Sequence, residues 1–247
     1  MGSHLLTLDG CRAHPYTAQM KLLTLNIQHG GGSRTAEIID FIDSDSFDVI
    51  VLTEFRRNAS GRKITAHLQK RGMQWTAPTV SNPKQNTVLI ASKGLTPIKL
   101  DSLPNDWSIH GAKVGGLSVL GVYLPQKGLK ELPYRWLLDR MPSMQRTVVL
   151  GDFNTGLNDL DVQGRSKFWC EQEFRTLSQD ILVDAFRRAN GASREYSWFS
   201  RAGNGFRVDH ALLSEDLLPN LSTAVYLHDS RPLVSDHSAL TLELDGV

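Results

Sequence analysis

A chain of 247 residues that is 40% hydrophobic and 21% charged has the make-up of an ordinary globular protein, long enough to bury a large core. No apolar run reaches the roughly 18 residues of a membrane-spanning helix, and the N-terminal segment lacks the basic start and apolar stretch of a signal peptide. The net charge of +1 points by itself to no partner. Cys11 and Cys170 stand far apart, which argues against a disulfide framework and favours a reducing, cytoplasmic setting. No Cys/His spacing suits zinc, so any metal is expected on oxygen ligands.

Residues 1–19 read as a leader or extension, with Met20 as a candidate start, and 20–247 as a single domain without repeat or linker. The first predicted strand is Lys21–Gln28. Ser33 is placed to cap a helix over Arg34–Asp43, where Ile38, Ile39 and Ile42 share a face. A strand over Asp48–Glu54 follows, then a helix near 62–71 marked by Ile64 and Leu68, then a strand over Thr87–Ser92. Gly116–Leu124 and Thr147–Asp152 are strands flanking a helix marked by Leu132, Trp136 and Leu137 that ends at Pro142. Cys170, Phe174 and Leu177 give the stripe of a fourth helix, and Val183–Ala189 a short fifth. Strands over Glu195–Phe199, Phe206–Leu213, Ala224–Leu227 and Ala239–Leu244 complete the chain. Runs such as VIVLT and TVVLG are apolar throughout, as in strands covered on both faces. Many strands and few helices along the whole length predict two packed sheets with helices outside.

Charge distribution says more than its sum. From Phe55 to Leu100 there is no Asp or Glu but nine Lys and Arg, among them Arg56 and Arg57. That is either the footprint of a polyanion-binding face or a solvated helix face with scattered lysines.

Polar residues gather at the predicted strand ends. Asn26 ends the first in LLTLNIQHGGG, and Glu54 the second in VIVLTEF. Asp152 and Asn154 follow a later one in VVLGDFN, Asp209 lies in FRVDHALLS, and Asp236 with His237 precedes the last strand. Each has a plain structural reading. A lone Glu after an apolar strand is usually solvated, and Asp-Phe-Asn after Gly is usually a turn that bonds its own backbone. Asp209 within an apolar strand needs a partner.

Taken in order, LNIQHGG, IVLTEF, VYLPQ, VVLGDFN, FRVDHALLS and SDHSAL resemble the motif series of the endonuclease/exonuclease/phosphatase superfamily, from about Lys21 to Leu244. YLPQ at 123–126 and the segment 183–209 look most like exodeoxyribonuclease III and its apurinic/apyrimidinic endonuclease relatives. The resemblance implies a four-layer α/β sandwich, with two mostly antiparallel sheets flanked by helices, and a divalent-metal phosphodiesterase. It implies that Glu54, with Asn26 and Asp236, holds Mg²⁺ or alternatively Mn²⁺, in keeping with that ion's preference for hard oxygen donors. It further implies that His237 meets the scissile phosphate while Asp209 fixes its ring. Asp152 becomes the general acid or base, Asn154 a phosphate-positioning residue, and Tyr123 a neighbour of the phosphate. Tyr123 reads equally well as sandwich filling. Arg56, Arg57, Trp198 and Phe199 are candidates for the substrate wall, although Trp198 also fits simple core packing.

Several positions depart from the pattern. Thr53 precedes Glu54 and Arg56 follows it, where relatives carry Gln and Lys. His29 stands in a glycine-rich loop, either joining the site or simply solvated. The stretches 123–151 and 198–209 are shorter than the resemblance to abasic-site endonucleases implies, which favours a 3′→5′ exonuclease over an abasic-site endonuclease. DNA is the expected partner, with no obligatory protein partner and a monomeric state. The alternative is a phosphatase or phosphodiesterase for a small molecule or lipid headgroup.

Overall fold

The structure, a computed structural model, describes residues 19–247. The expected leader at 1–19 thus lies outside the described residues except for Gln19, which belongs to the first strand. In chain order the strands are β1 (Gln19–Asn26), β2 (Val49–Phe55), β3 (Gln74–Thr76), β4 (Thr87–Ser92), β5 (Leu95–Ile98), β6 (Ile109–Val114) and β7 (Leu117–Tyr123). They continue as β8 (Thr147–Asp152), β9 (Val183–Asp184), β10 (Trp198–Phe199), β11 (Gly205–Phe206), β12 (Asp209–Leu213), β13 (Leu221–Leu227) and β14 (Ala239–Asp245). The α-helices are α1 (Thr35–Asp43), α2 (Ala59–Lys70), α3 (Glu131–Arg140), α4 (Glu171–Arg175) and α5 (Ala185–Asn190).

Two six-stranded sheets, β13-β14-β1-β2-β4-β3 and β5-β6-β7-β8-β12-β9, form the centre, with β10-β11 as a separate ribbon. All pairings within them are antiparallel except β1 with β2 and β7 with β8. Strand alternation sorts each apolar run onto two cores. Val49, Val51, Val88 and Ile90 face the second sheet, whereas Ile50, Leu52, Leu89 and Ala91 pack outward with Ile38, Ile42, Ile64 and Leu68 of α1 and α2. On the other side Val149 and Leu212 pack outward with Leu137 of α3 and Phe174 of α4. Helix, sheet, sheet and helix are the four layers. The sheets meet closely at Gly121, where a Cβ would lie 2.5 Å from Val88 Cγ1 and 3.0 Å from Val51 Cγ1.

Local chemistry shifts several predicted boundaries. Ser33 does not cap α1. A 3-10 turn over Gly32–Arg34 leads into the helix, whose N-cap Arg34 makes no side-chain cap bond. α2 starts earlier than expected because Asn58 accepts the Gly61 N–H at 2.9 Å. Only Trp198 and Phe199 of the expected 195–199 strand pair, and the 206–213 strand breaks into β11 and β12. The hairpin of β5 and β6 and the short β3 were not foreseen. Among the described residues no helix is long and apolar enough to cross a membrane.

The two parallel pairs place the site. A parallel pair needs a crossover, supplied here by α1 between β1 and β2 and by α3 between β7 and β8. The carboxyl ends of both pairs lie at one rim, with Asn26 beside Thr53 and Tyr123 beside Asp152. β12 runs against β8 so that its first residue, Asp209, faces Asp152. β14 runs against β1, which leaves Asp236 and His237, just ahead of it, at that rim as well.

Candidate active site

Asn26 joins the two sheets. Its Nδ2 donates to Asp152 Oδ2 at 2.9 Å and to Glu54 Oε1 at 3.3 Å, while its Oδ1 accepts the Gln28 N–H at 2.8 Å. Backbone N–H can only meet oxygen, so the amide orientation is fixed. Asn26 therefore orients two carboxylates, and its own oxygen keeps a second lone pair beside the Gln28 N–H. Glu54 sits at a β-bulge between Thr53 and Phe55 with φ 54°, a left-handed conformation that re-aims its side chain off the strand. The Tyr123 hydroxyl lies 3.4 Å from Glu54 Oε1 and accepts from Asn86 Nδ2 at 3.2 Å. Burial, then the Glu54 charge, raises the Tyr123 pKa and keeps the phenol protonated. The same ring packs against the inter-sheet core, as its reading as sandwich filling expects.

The GDFN segment forms its expected turn and contributes to the site at once. Gly151 has φ 142°, and a Cβ there would lie 2.0 Å from Val122 O, so no other residue fits beside β7. Asp152 Oδ1 accepts the Asn154 N–H at 2.8 Å, and Asn154 Nδ2 donates to Leu124 O at 2.8 Å. Asp152 is fully buried, and burial together with the Asp209 charge raises its pKa.

Asp209 finds its partner in His237, whose Nδ1 lies 2.7 Å from Asp209 Oδ2. Burial alone would lower the His237 pKa, but Asp209, and then Asp152 and Asp236, outweigh it and push it up to about 10. The ring is thus held as an imidazolium. Ser235 ties this loop to β1 by donating to Asn26 O at 2.5 Å and accepting the His237 N–H at 3.1 Å. Asp236 Oδ2 accepts from Trp198 Nε1 at 3.2 Å, whereas its Oδ1 is buried without a hydrogen-bond partner.

Glu54, Asp152, Asn154, Trp198, Asp236 and His237 all line one cleft of about 370 Å³. An unpartnered buried carboxylate oxygen, beside further carboxylates and no thiol, is a donor set that suits a hard divalent cation. Asp152, Asp209 and His237 also bring ligand atoms within 4.8 Å of one another.

Other candidates are placed differently. Arg56 Nε donates to Asn86 Oδ1 at 2.6 Å, one residue removed from Tyr123. Arg57 does not line the cleft. It donates to Pro78 O and Ala77 O and lies over the Trp75 ring. Phe199 is also absent from the cleft lining and carries the Arg231 guanidinium over its face. Trp198 packs on Phe206 and beside His237.

Sequence reasoning missed much of the wall. Phe168, Trp169 and Phe206 line the cleft with Lys127, Lys130 and Lys167. Trp169 is 58% exposed and belongs to an irregular stretch with no periodic pattern to reveal it. Lys130 is buried, donating to Asn154 O and, at 2.8 Å, to Thr155 Oγ1. Burial lowers its pKa to about 8 against the opposing pull of Asp152. Behind the wall Arg207 is completely buried and paired with Asp161 at 2.7 Å and Asp184 at 2.6 Å. Burial would raise both carboxyls, but the Arg207 charge outweighs it and holds them below the usual range.

Carboxylates around an imidazolium, on the rim of a two-sheet α/β sandwich, are a constellation suited to hydrolysing phosphate esters. The chain belongs to the endonuclease/exonuclease/phosphatase family, whose model matches residues 23–237. It is similar to a 3′ phosphatase from Neisseria bound to a product DNA hairpin, with 25% identity, a TM-score of 0.78, and coverage of 92% of this chain and 99% of that one. It is similar to a 3′-5′ exonuclease from Neisseria meningitidis at 25% identity and a TM-score of 0.78, covering 92% of this chain and 100% of that one. An AP endonuclease from Archaeoglobus fulgidus shares the fold at 21% identity and a TM-score of 0.78, covering 92% of this chain and 100% of that one.

Proposed function

We propose that the chain is a metal-dependent phosphodiesterase acting on DNA, chiefly as a 3′→5′ exodeoxyribonuclease of the repair type, with abasic-site incision as a secondary activity. The observation that carries this reading is the cleft wall. Phe168, Trp169, Trp198 and Phe206 offer aromatic faces, and Lys127 and Lys167 offer charge, beside the Asp209–His237 pair. Aromatic faces stack on bases, and lysines hold a phosphodiester backbone. The similarity to the two Neisseria proteins supports a substrate with a 3′ end.

Glu54 and Asp236 would hold the divalent cation, magnesium or manganese, with Asn26 and Tyr123 steadying the Glu54 carboxylate. The ion would supply Lewis acidity, neutralising phosphate oxygens and the departing oxyanion. His237, charged and oriented by Asp209, directs its other ring nitrogen at a phosphate oxygen and balances the charge that builds there. Asp152 is held by Asn26 and by the Asn154 N–H, and its raised pKa suits a group that takes a proton from attacking water. Asn154 keeps that carboxylate in position.

The test is a time course on end-labelled duplexes, one intact with a recessed 3′ end and one carrying an abasic-site analogue. A ladder shortening from the 3′ end with Mg²⁺, silenced by chelator, is expected. Intact DNA, with phosphate released from inositol phosphates or phosphocholine from sphingomyelin instead, would transfer the site to the small-molecule reading.

A further inference from the structure

The loop after β1 carries a side chain with no part in this mechanism. His29 donates its backbone N–H to Glu54 Oε2 at 2.6 Å, and its ring Nδ1 lies 2.8 Å from the same oxygen. Asn86 Nδ2 approaches that ring nitrogen at 3.4 Å. The His29 side chain is 66% exposed, and so open a pair adds little to stability. Yet the backbone reaches it through strain. Gln28 at φ 48° and His29 at φ 55° are consecutive non-glycine residues in the left-handed region. Glycine adopts that conformation freely, and the chain has glycine at each of the next three positions, all at positive φ. The backbone N–H would satisfy Oε2 without any ring. An imidazole is thus held over the Glu54 carboxylate by two consecutive residues in a conformation that is costly for anything but glycine.

Two donor atoms 2.8 Å apart also have the spacing of adjacent ligands on one cation. Such ligands lie about 3 Å apart when each bond is near 2.1 Å. We infer that His29 is a ligand, through a ring nitrogen, to the cation held by Glu54, and that the site therefore takes a transition-metal dication such as Mn²⁺ or Co²⁺ in preference to Mg²⁺. This rests on the reading that Glu54 holds a divalent cation. Imidazole strengthens binding of first-row transition ions, whereas Mg²⁺ keeps to oxygen donors and water.

Metal-free full-length protein is titrated with Mn²⁺, free ion being read by electron paramagnetic resonance and Mg²⁺ by competition. Pulsed measurements on bound Mn²⁺ read its nitrogen couplings. His29→Gly removes the ring and suits the local φ, so its melting temperature should match or exceed that of the parent. The variant is expected to bind Mn²⁺ at least about tenfold more weakly, to keep Mg²⁺ affinity within about twofold, and to lose a nitrogen coupling. Only the coupling lost on changing His29 counts, so a nitrogen elsewhere near the cation cannot mimic it. Unchanged Mn²⁺ affinity and couplings in His29→Gly, or equal weakening of both ions, would overturn the inference. Glu54→Gln separates the two readings. If it weakens both ions while His29→Gly does not, only the His29 assignment fails; if it leaves both ions bound at full affinity, the cation site itself is wrong. DNA hydrolysis enters neither readout.

Discussion

Asp209→Asn tests the core of the site, because it removes a charge while keeping shape. Asp209 and His237 are both buried and 2.7 Å apart. Removing one partner from a buried ion pair costs about 3–5 kcal/mol. Asparagine can still accept the ring N–H, a bond worth about 1 kcal/mol, so the expected loss at neutral pH is about 2–4 kcal/mol. For a chain of this size that lowers the melting temperature by about 4–16 °C. The pH dependence gives the sharper signature. The folded His237 pKa is raised to about 10 from the ordinary 6.5, so the pair's contribution is complete below the unfolded value and fades as pH climbs through the folded one. Urea titrations in chelator should therefore show the parent and variant far apart at pH 7 and converging above pH 10. Turnover should fall by about 10²–10⁴ with substrate affinity nearly intact, since orientation and proton transfer are lost rather than contact. A stability gap that stays constant across this pH range, or a variant as active as its parent, would refute the assignment of an imidazolium.

Three further outcomes follow from the geometry. Trp169→Ala should leave the melting temperature unchanged, because the ring is 58% exposed, while weakening single-stranded DNA binding in a fluorescence titration by about 1–3 kcal/mol, the worth of one stacked base. Gly121→Ala puts a methyl group 2.5 Å from Val88 Cγ1 and should cost about 1–3 kcal/mol in urea unfolding, with little change in metal or substrate affinity per folded molecule. Arg207→Ala removes the charge shared by buried Asp161 and Asp184, leaving Asp161 only its pairing with Arg187, and should cost about 3–5 kcal/mol, visible as loss of soluble folded protein or a much lower melting temperature.

The layers were legible because hydrophobic runs such as VIVLT carry their two-sided burial in the sequence itself, and the structure assigns alternate residues to the two cores. The residues gathered at the rim were legible for a related reason, since they sit where apolar runs stop and polar groups begin. Strands without such runs were not legible. β5 contains Pro97 and β6 contains Gly111 and Lys113, which weaken any strand signal. The wall at Phe168 and Trp169 lies in irregular chain, where no period marks a face. Arg57 shows the limit of charge counting, because its guanidinium binds carbonyls and Trp75 and does not line the cleft. The Asp161–Arg207–Asp184 cluster joins positions far apart along the chain, and only the folded topology brings them together.

That cluster lies behind a segment whose front is the substrate wall. Phe206 and Val208 look into the cleft, while Arg207 between them is fastened to two carboxylates in the interior. The residue next in line is Asp209, which holds the imidazole. Anchorage and recognition are thus carried by alternate side chains of one short ribbon. Replacements at the outward positions can recast the shape of the cleft while the hidden guanidinium keeps the backbone in register, so the wall can change without loosening the carboxylate–imidazole pair one residue away.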